Sequence, residues 1–314
     1  MTDTSSSVRP DRAPRTPAPR VEGVVTLRDG RRIGFAEYGP PQGRPVLWFH
    51  GTPGARRQIP PAARASADAR NIRIVALERP GIGASTPHSY DSILDWAGDV
   101  EECVDQLGLD RFGIVGLSGG GPYVLACAYR LADRTVAAGV IGGVAPTRGA
   151  DAPEGGVVQL TARFSSVLDL LHEPLSRGLW ALVWGLRPLA SQAFDLFAHF
   201  SPAGDKEVFA SPGMKEMFTD DLLKATRRQF RAPIADLRLF GRHWGFSPRD
   251  VAVPIFLWHG AEDYIVPVAH SRHLADLVTG SELRVRVGAA HLANLTLGDE
   301  VLDAMLTHWP DDET

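Results

Sequence analysis

Cysteine, lysine and long apolar runs are all scarce in this chain of 314 residues. The two cysteines, Cys103 and Cys127, have no second Cys or His at the spacing of metal ligands, which argues against a zinc site and against a disulfide framework. The longest strongly apolar stretch, residues 179–186, is far shorter than the roughly 20 residues that a bilayer span requires. We therefore predict no zinc site, no disulfides and no membrane span.

No excess of charge of either sign is present, since 33 basic residues stand against 37 acidic ones for a formal net charge of −4. Binding to a phosphate backbone needs a basic surface, so we predict no nucleic-acid partner. Residues 1–20 are rich in Ser, Pro and Arg and lack the apolar run of a secretion signal. We expect a disordered tail there and a cytoplasmic protein, while the oligomeric state stays open.

Short β-rich runs alternate with helical patterns from residue 21 onward. The first two runs, 24–27 and 32–38, are joined across Asp29-Gly30, a pair that is typical of a tight hairpin turn. Later runs are nearly continuously apolar, as expected of strands covered on both faces; they are 46–49, 72–77, 112–115, 136–141, 255–258 and 283–287. This alternation predicts a doubly wound α/β fold with a mostly parallel sheet.

The alternation stops between residues 146 and 249, where the pattern is helical and shows no convincing strand. We predict that residues 147–249 form a helical lid inserted into a core made of residues 21–146 and 250–314. The aromatic residues of this segment are expected mainly to pack the lid against the core. Trp180, Trp184 and Trp244 are candidates for lining an apolar substrate pocket, because such pockets usually carry ligand specificity.

The segment Gly116-Leu117-Ser118-Gly119-Gly120 follows a predicted strand and precedes a helical pattern, which is the context of a nucleophile elbow. The flanking glycines remove the Cβ atoms that would collide with the strand and the helix at such a sharp turn. A serine hydroxyl needs a base, and the base needs an orienting acid. Asp263 and His291 each follow a later strand and are the predicted acid and base, with Glu262 as the rival acid.

Two backbone N–H groups are predicted to bind the oxyanion that develops on a substrate. The segment His50-Gly51-Thr52-Pro53-Gly54 follows the run 46–49, and a glycine-rich turn at that place can direct an N–H toward developing negative charge. We predict that the donors are the N–H groups of Thr52 and Gly119. His50 itself is interpreted as a residue that stabilises the turn.

Cofactor motifs are not supported. Gly119-Gly120-Gly121 is not followed by the Lys-Ser/Thr of a phosphate-binding loop, and Gly81-Ile82-Gly83 lacks the last glycine of a dinucleotide fingerprint. His270 and His273 have a spacing compatible with metal binding on a helix, but no third ligand accompanies them. We predict no nucleotide cofactor and no metal, and we expect both histidines on an exposed helix face.

Taken together, these motifs resemble those of the α/β-hydrolase superfamily, in its serine esterase and proline-iminopeptidase-like branch, over roughly residues 21 to 310. The resemblance rests on the His50-Gly51 turn, on residues 79–85, on the elbow at Ser118 and on the loops of Asp263 and His291. It implies an eight-stranded, mostly parallel sheet with a lid inserted after the sixth strand. The chain departs from the family at Glu78, where related sequences usually have Asp before Arg-Pro-Gly.

The expected function is that of a serine hydrolase, which cleaves a small-molecule carboxylic ester of a small or medium apolar acid through an acyl-enzyme. One alternative is a proline-type aminopeptidase, in which Glu173 or Glu207 would hold a free amine. Others are a cofactor-free perhydrolase or haloperoxidase, and a non-catalytic ligand receptor built on the same scaffold. An epoxide or haloalkane hydrolase would need a carboxylate at the position of Ser118.

Overall fold

The structure is a computed structural model that describes part of the chain. It describes residues 17–148, 150–152, 176–179, 181–182, 184–185, 192, 199, 201, 203–210, 212–226 and 230–310. Its strands are β1 Val21–Thr26, β2 Arg32–Tyr38, β3 Arg44–Phe49, β4 Ile72–Leu77, β5 Phe112–Leu117, β6 Thr135–Ile141, β7 Ile255–Gly260 and β8 Glu282–Arg286. Every strand predicted from the sequence is present among them.

These strands form one eight-stranded sheet in the order β1-β2-β4-β3-β5-β6-β7-β8. The pairs β1–β2 and β2–β4 are antiparallel, and all other pairs from β4 to β8 are parallel. The predicted hairpin joins β1 to β2, and Gly30 adopts φ 84° in its turn. The predicted doubly wound, mostly parallel α/β fold with eight strands is therefore confirmed.

The strand ends differ from the prediction by a few residues. β3 begins at Arg44 rather than at residue 46. Arg44 and Pro45 precede the apolar run but pair with β4. β5 and β7 each run two residues further, and both of these extensions lead directly into loops of the candidate site. β8 was expected to be covered on both faces, but it is an edge strand whose residues are only partly buried or exposed.

The numbered helices pack on both faces of the sheet. They are α1 Pro61–Ser66, α2 Asp95–Gln106, α3 Gly121–Arg130, α4 Ala203–Ala210, α5 Pro212–Ala225, α6 Arg231–Phe240, α7 Ala269–Leu277 and α8 Gly298–Thr307. Short 3₁₀ turns occur at Ser118–Gly120, Pro248–Asp250 and Ala293–Leu297. The described helices thus account for the helical patterns that the sequence places between the strands.

The core has two parts, one on each face of the sheet. Side chains alternate across a strand, so Leu47 and Phe49 of β3 enter one part, whereas Val46 and Trp48 enter the other. The first part contains the buried side chains of α2, α3 and α7, and the second contains those of α1 and α8. A parallel sheet covered in this way presents its strand ends, not its faces, to ligands.

Residues 142–254 join β6 to β7, and we call them the connecting segment. Its described residues include α4, α5, α6 and further helical residues at 176–179, 181–182 and 184–185, with no strand among them. That residues 147–249 act as a lid stays a prediction.

Arg20, the residue before β1, extends the pairing of β1 with β2, because its N–H donates to Glu37 O at 2.7 Å.

In the part of the chain that the structure describes, no helix is long and apolar enough to cross a membrane.

Ile114 provides a test of the core, because it is 0% exposed in the interior strand β5 that leads to the elbow. Ile114→Ala is expected to lower the free energy of unfolding by about 2–5 kcal/mol, since it leaves a cavity that the sheet cannot close. Val24→Ala removes methyl groups from the edge strand β1, where Val24 is 43% exposed, and serves as the control with a change below about 0.5 kcal/mol. Urea denaturation followed by circular dichroism measures both, and equal losses would contradict the described packing.

Candidate active site

Ser118 lies on a sharp turn between β5 and α3. Its φ of 49° falls in the left-handed region that few residues other than glycine adopt. A Cβ at Gly116 would lie 2.5 Å from Val124 Cγ2, and one at Gly120 would lie 2.6 Å from Phe49 O. The glycines of the motif are therefore required by close approach of strand and helix, and the strained serine is raised out of the backbone turn.

The structure brings Ser118, His291 and Asp263 into one hydrogen-bonded chain. Ser118 Oγ lies 3.0 Å from His291 Nε2, and His291 Nδ1 lies 2.6 Å from Asp263 Oδ2. Because the Asp263 carboxylate can only accept at this contact, Nδ1–H is the donor and Nε2 is free to accept the serine proton. The arrangement can thus remove a proton from Ser118 and hold the resulting imidazolium beside a carboxylate.

Asp263 is held in place by more than His291. Its Oδ1 accepts the N–H groups of Ile265 and Val266 at 2.9 and 2.8 Å, and His259 Nε2 lies 3.2 Å from Oδ2. Burial raises the pKa of Asp263, but the hydrogen bonds from His259 and His291 outweigh it and bring the pKa below its usual range. Asp263 therefore stays ionised, whereas the rival acid Glu262 is exposed to solvent.

The turn after β3 lies directly beside the elbow. A Cβ built on Gly119 would lie 2.8 Å from Thr52 Cβ, so the two residues predicted to donate to an oxyanion are immediate neighbours. His50 Nδ1–H donates to Gly51 O at 2.8 Å, and His50 Nε2 accepts the Arg79 N–H at 3.3 Å. Burial and the Arg79 charge hold the pKa of His50 well below its usual range. The imidazole is neutral and stabilises the turn.

Glu78, where the chain departs from the family pattern, is fully buried and organises the turn that follows β4. Its Oε2 accepts the Ala84 N–H at 2.8 Å and forms an ion pair with Arg56 Nη1 at 2.7 Å. Burial raises the pKa of Glu78, while Arg56 opposes that change. The longer side chain is thus accommodated by an arginine partner.

Sequence reasoning did not find Asp236, a buried carboxylate on α6 that contacts Thr52 in the turn after β3. Arg79 Nη2 and Thr52 Oγ1 lie 2.7 and 2.6 Å from Asp236 Oδ2, and Tyr123 OH donates to Oδ1 at 2.7 Å. The helical spacing of Pro233, Asp236 and Phe240, three and four residues apart, could have indicated this site, because all three face inward on α6. A carboxylate on the apolar face of a helix predicts a buried polar partner.

Two more carboxylates of the connecting segment contact loops of the site. Asp205 of α4 accepts the N–H groups of Leu292 and Ala293 at 3.0 and 2.8 Å, next to His291. Asp221 of α5 accepts the Ala55 N–H at 2.9 Å, three residues after Thr52. Burial raises the pKa of both carboxyls. Each of α4, α5 and α6 therefore supplies one acidic side chain to a loop around Ser118.

The tryptophans proposed to line a pocket are placed differently from one another. Trp184 is partly buried, and its Nε1 donates to Thr226 O at 3.3 Å. Trp244 is 2% exposed and belongs to the core cluster, where it packs against Phe246. The structure thus gives Trp244 a packing role in the core. Trp180, Glu173 and the side chain of Glu207 lie outside the described residues.

The expectation that His270 lies on an exposed helix face is wrong. His270 is 1% exposed, and its Nδ1 accepts the Ala145 N–H at 3.1 Å. It shares the inward face of α7 with Leu274 and Leu277, four and seven residues later. His273 is partly buried, with its Nε2 2.9 Å from Asp151 O. Within the described ranges, no group of three His, Cys, Asp or Glu side chains is arranged to hold a metal ion.

Comparison with known proteins places the chain in a family. Residues 44–296, well over half of the sequence, match the sequence model of the alpha/beta hydrolase fold. The chain therefore belongs to the α/β hydrolase fold family. Its eight-stranded sheet and the elbow at Ser118 are the features of the structure that correspond to this family.

Two curated relatives differ in how much of the chain they match. A proline iminopeptidase of Xylella fastidiosa is 31% identical over 120 residues, which cover 37% of this chain and 38% of the relative. The matched stretch thus spans well under half of that relative's length. A non-heme haloperoxidase of Rhodococcus erythropolis is 27% identical over 293 residues, covering 85% of this chain and 92% of the relative.

Among solved structures, an esterase from Rhodococcus sp. ECU1013 superposes with a TM-score of 0.64 at 20% sequence identity. The superposition covers 92% of this chain and 99% of the esterase. At this identity the similarity establishes the fold, and the chemistry has to be argued from the site itself.

His270 makes the stability of the protein depend on pH. Burial, with the charges of His259 and His273, lowers its pKa from 6.5 to about 4, while Asp263 opposes the shift. Below pH 6.5 the unfolded chain binds the proton more readily than the folded one, so stability present above pH 6.5 is lost as the pH falls toward 4. We expect this group to contribute about 3 kcal/mol to that loss.

The measurement is urea unfolding at pH 7 and pH 4.5 of the wild type and of His270→Gln, which replaces the imidazole with an amide that does not titrate. The variant should lose less stability on acidification than the wild type. His273→Gln, on the same helix, is the control: it removes a lesser cause of the lowered pKa of His270 and leaves burial, the largest, so it should keep most of the acid-dependent loss. A wild-type pH dependence in His270→Gln would contradict a buried, neutral His270.

Proposed function

We propose that this chain is a serine hydrolase that cleaves a carboxylic ester of a small or medium apolar acid through an acyl-enzyme. The observation that carries the proposal is the contact of 3.0 Å between Ser118 Oγ and His291 Nε2, in a histidine whose other nitrogen is bound to Asp263. A serine hydroxyl becomes nucleophilic when a base in hydrogen-bond contact accepts its proton. The alternative of a non-catalytic receptor does not account for all three groups in contact.

In the proposed reaction, Ser118 Oγ attacks the ester carbonyl while its proton passes to His291 Nε2. The carbonyl electron pair becomes an oxyanion, which the N–H groups of Thr52 and Gly119 stabilise. Collapse of this intermediate expels the alcohol, which takes the proton from His291. A water molecule then repeats the sequence on the acyl-enzyme and releases the acid and free Ser118. Asp263 keeps the imidazole oriented throughout.

The connecting segment is proposed to act as the lid of this site. Asp205, Asp221 and Asp236, one on each of α4, α5 and α6, contact loops next to Ser118 or His291. Through these contacts the three helices lie next to the loops of the site. A lid in that position would define the shape of the acyl group that is accepted.

Ser118→Ala tests the mechanism. The variant keeps the fold but has no nucleophile, so hydrolysis of short p-nitrophenyl esters should fall by about 10⁴- to 10⁶-fold. Ser66→Ala, on α1 and away from the site, is the matched control and should keep wild-type rates. A fluorophosphonate probe should label the wild type and Ser66→Ala but not Ser118→Ala. Retained turnover in a pure, folded Ser118→Ala sample would reject the mechanism.

A second candidate is a cofactor-free haloperoxidase or perhydrolase. The observation that favours it is the match to the Rhodococcus erythropolis haloperoxidase over 85% of this chain. The same three side chains would serve this reaction, with peroxide in place of water as the attacker of the acyl-enzyme. The proline iminopeptidase relative supports cleavage of a proline amide as a further alternative, over a shorter stretch.

One substrate panel separates these reactions. We expect the wild type to hydrolyse p-nitrophenyl esters faster, in kcat/KM, than it cleaves proline p-nitroanilide or brominates a phenol with bromide and peroxide in acetate buffer. Ser118→Ala should be inactive in every assay that the wild type catalyses. Bromination without appreciable esterase activity would contradict the ester hydrolase proposal and support the haloperoxidase. Preferred cleavage of the anilide would contradict it and support the aminopeptidase.

A further inference from the structure

The buried Asp236 lies at the centre of contacts that come from three distant parts of the chain. Its carboxylate accepts the Thr52 hydroxyl at 2.6 Å and the Tyr123 hydroxyl at 2.7 Å, and it forms an ion pair with Arg79 Nη2 at 2.7 Å. The side chains of Arg79 and Asp236 are only 3% and 7% exposed. Nothing in the proposed reaction steps uses this pair directly.

Arg79 also holds the backbone of the turn after β3. Its Nη1 donates to His50 O at 2.7 Å and its Nη2 donates to Gly51 O at 2.9 Å. His50 Nδ1–H reaches the same Gly51 oxygen at 2.8 Å. The Gly51 carbonyl therefore has two donors, one cationic and one from a neutral imidazole.

The geometry of a peptide unit connects this carbonyl to the proposed oxyanion site. The peptide between Gly51 and Thr52 is trans, so its C=O and its N–H point in opposite directions within one plane. Fixing the Gly51 oxygen on Arg79 and His50 thus fixes the direction of the Thr52 N–H. Donors to the carbonyl oxygen also polarise the unit and make its N–H a stronger donor.

We propose that Asp236 is a positioning residue for the oxyanion donor at Thr52, and that it acts through Arg79. The inference rests on the proposed serine hydrolase function and deepens it, because it makes the connecting segment a part of the machinery that stabilises the transition state. Asp236 sets the position of the guanidinium, the guanidinium sets the Gly51 carbonyl, and the carbonyl sets the Thr52 N–H.

The charge of Asp236 is what keeps Arg79 in this position. A guanidinium has five N–H donors and no way to lose its charge in a protein, so in a buried site it needs a carboxylate partner. A cleft of about 210 Å³ lies beside the pair and is lined in part by Arg79, Tyr123 and Asp236. Without the carboxylate, Arg79 has a path into this cleft toward water, and the two carbonyls lose their donor.

A purely structural role for the pair makes a different prediction. In that case a substitution of Asp236 or Arg79 would lower stability and the fraction of folded enzyme, but each folded molecule would turn over at the wild-type rate. With a positioning role, the same substitution lowers kcat per active site and weakens the binding of compounds that form an oxyanion, with little effect on KM. Removal of one oxyanion donor typically costs about 10²- to 10³-fold in rate, and its misplacement costs less.

The test compares Asp236→Asn with Asp99→Asn. Asp99 is a matched control, because it is also a buried carboxylate bound by an arginine, Arg31, and a tyrosine, Tyr90, but contacts no loop of the site. Active sites are titrated with a fluorophosphonate, and kcat and KM are measured on a p-nitrophenyl ester. The affinity for an alkyl trifluoromethyl ketone reports on the oxyanion site, because addition of Ser118 Oγ converts its carbonyl into an oxyanion while His291 retains the proton.

For Asp236→Asn we expect kcat per titrated site to fall by about 10- to 100-fold, KM to change by less than about threefold, and ketone affinity to fall in parallel with kcat/KM. Asp99→Asn should stay within about threefold of wild type in all three quantities. Arg79→Lys is the second variant: its single ammonium group cannot hold both carbonyls and the carboxylate, so it should show the same pattern even if Asp236→Asn folds poorly.

Unchanged kcat per site and ketone affinity in Asp236→Asn or in Arg79→Lys would overturn the positioning role and leave the serine hydrolase function standing. Losses of equal size in Asp236→Asn and Asp99→Asn would overturn it as well. A wild type that neither hydrolyses esters nor binds the ketone would instead overturn the proposed function and the inference with it.

Discussion

The hydrogen bond of 2.6 Å between His291 and Asp263 is the interaction on which the rest of the site depends. It selects the tautomer that leaves His291 Nε2 able to accept a proton from Ser118. The three side chains can meet only if the strands β5, β7 and β8 end at the same edge of the sheet, where the loops that carry them begin. Parallel pairing of β5 with β6, of β6 with β7 and of β7 with β8 provides this alignment. Burial works against an ionised Asp263, and the structure offsets that cost with two backbone N–H groups and two imidazoles.

A second electrostatic contact is the buried pair of Arg79 and Asp236, which contacts the turn after β3. Removing one partner of such a pair leaves an uncompensated charge in the interior, a cost of about 3–5 kcal/mol in other proteins. Hydrophobic side chains of similar volume often serve stability equally well, so the role proposed for the pair lies beyond stability. The pair touches the turn of His50 and Thr52, and not the hydrophobic clusters alone. Two buried carboxylates thus contact the surroundings of Ser118: Asp263 binds His291, and Asp236 binds Thr52 and Arg79.

The sequence was sufficient for the sheet and for the three side chains of the site, because both depend on local patterns. Continuous apolar runs predict covered strands, and the elbow motif with a later Asp and His predicts the grouping that the structure shows. Strand ends were less predictable, since Arg44 and Pro45 are held in β3 by pairing with β4 and not by their own apolarity. The burial of His270 and Asp236 was not predicted, because polar residue types are mostly exposed, although helical spacing places both on inward faces. The partner of a buried polar side chain depends on long-range packing, which no local pattern contains.

The three carboxylates Asp205, Asp221 and Asp236 have a consequence for how this chain can be altered. In the proposed function the connecting segment selects the substrate, and its carboxylates also hold loops next to His291 and Thr52, so substrate choice and turnover depend on the same region. A chimera that carries the region between β6 and β7 from another hydrolase would need an acceptor for the Leu292, Ala293 and Ala55 amides and a counterion for Arg79. Substitutions between these three carboxylates are therefore expected to change the proposed substrate range of this chain, whereas replacement of the whole region would lower its turnover.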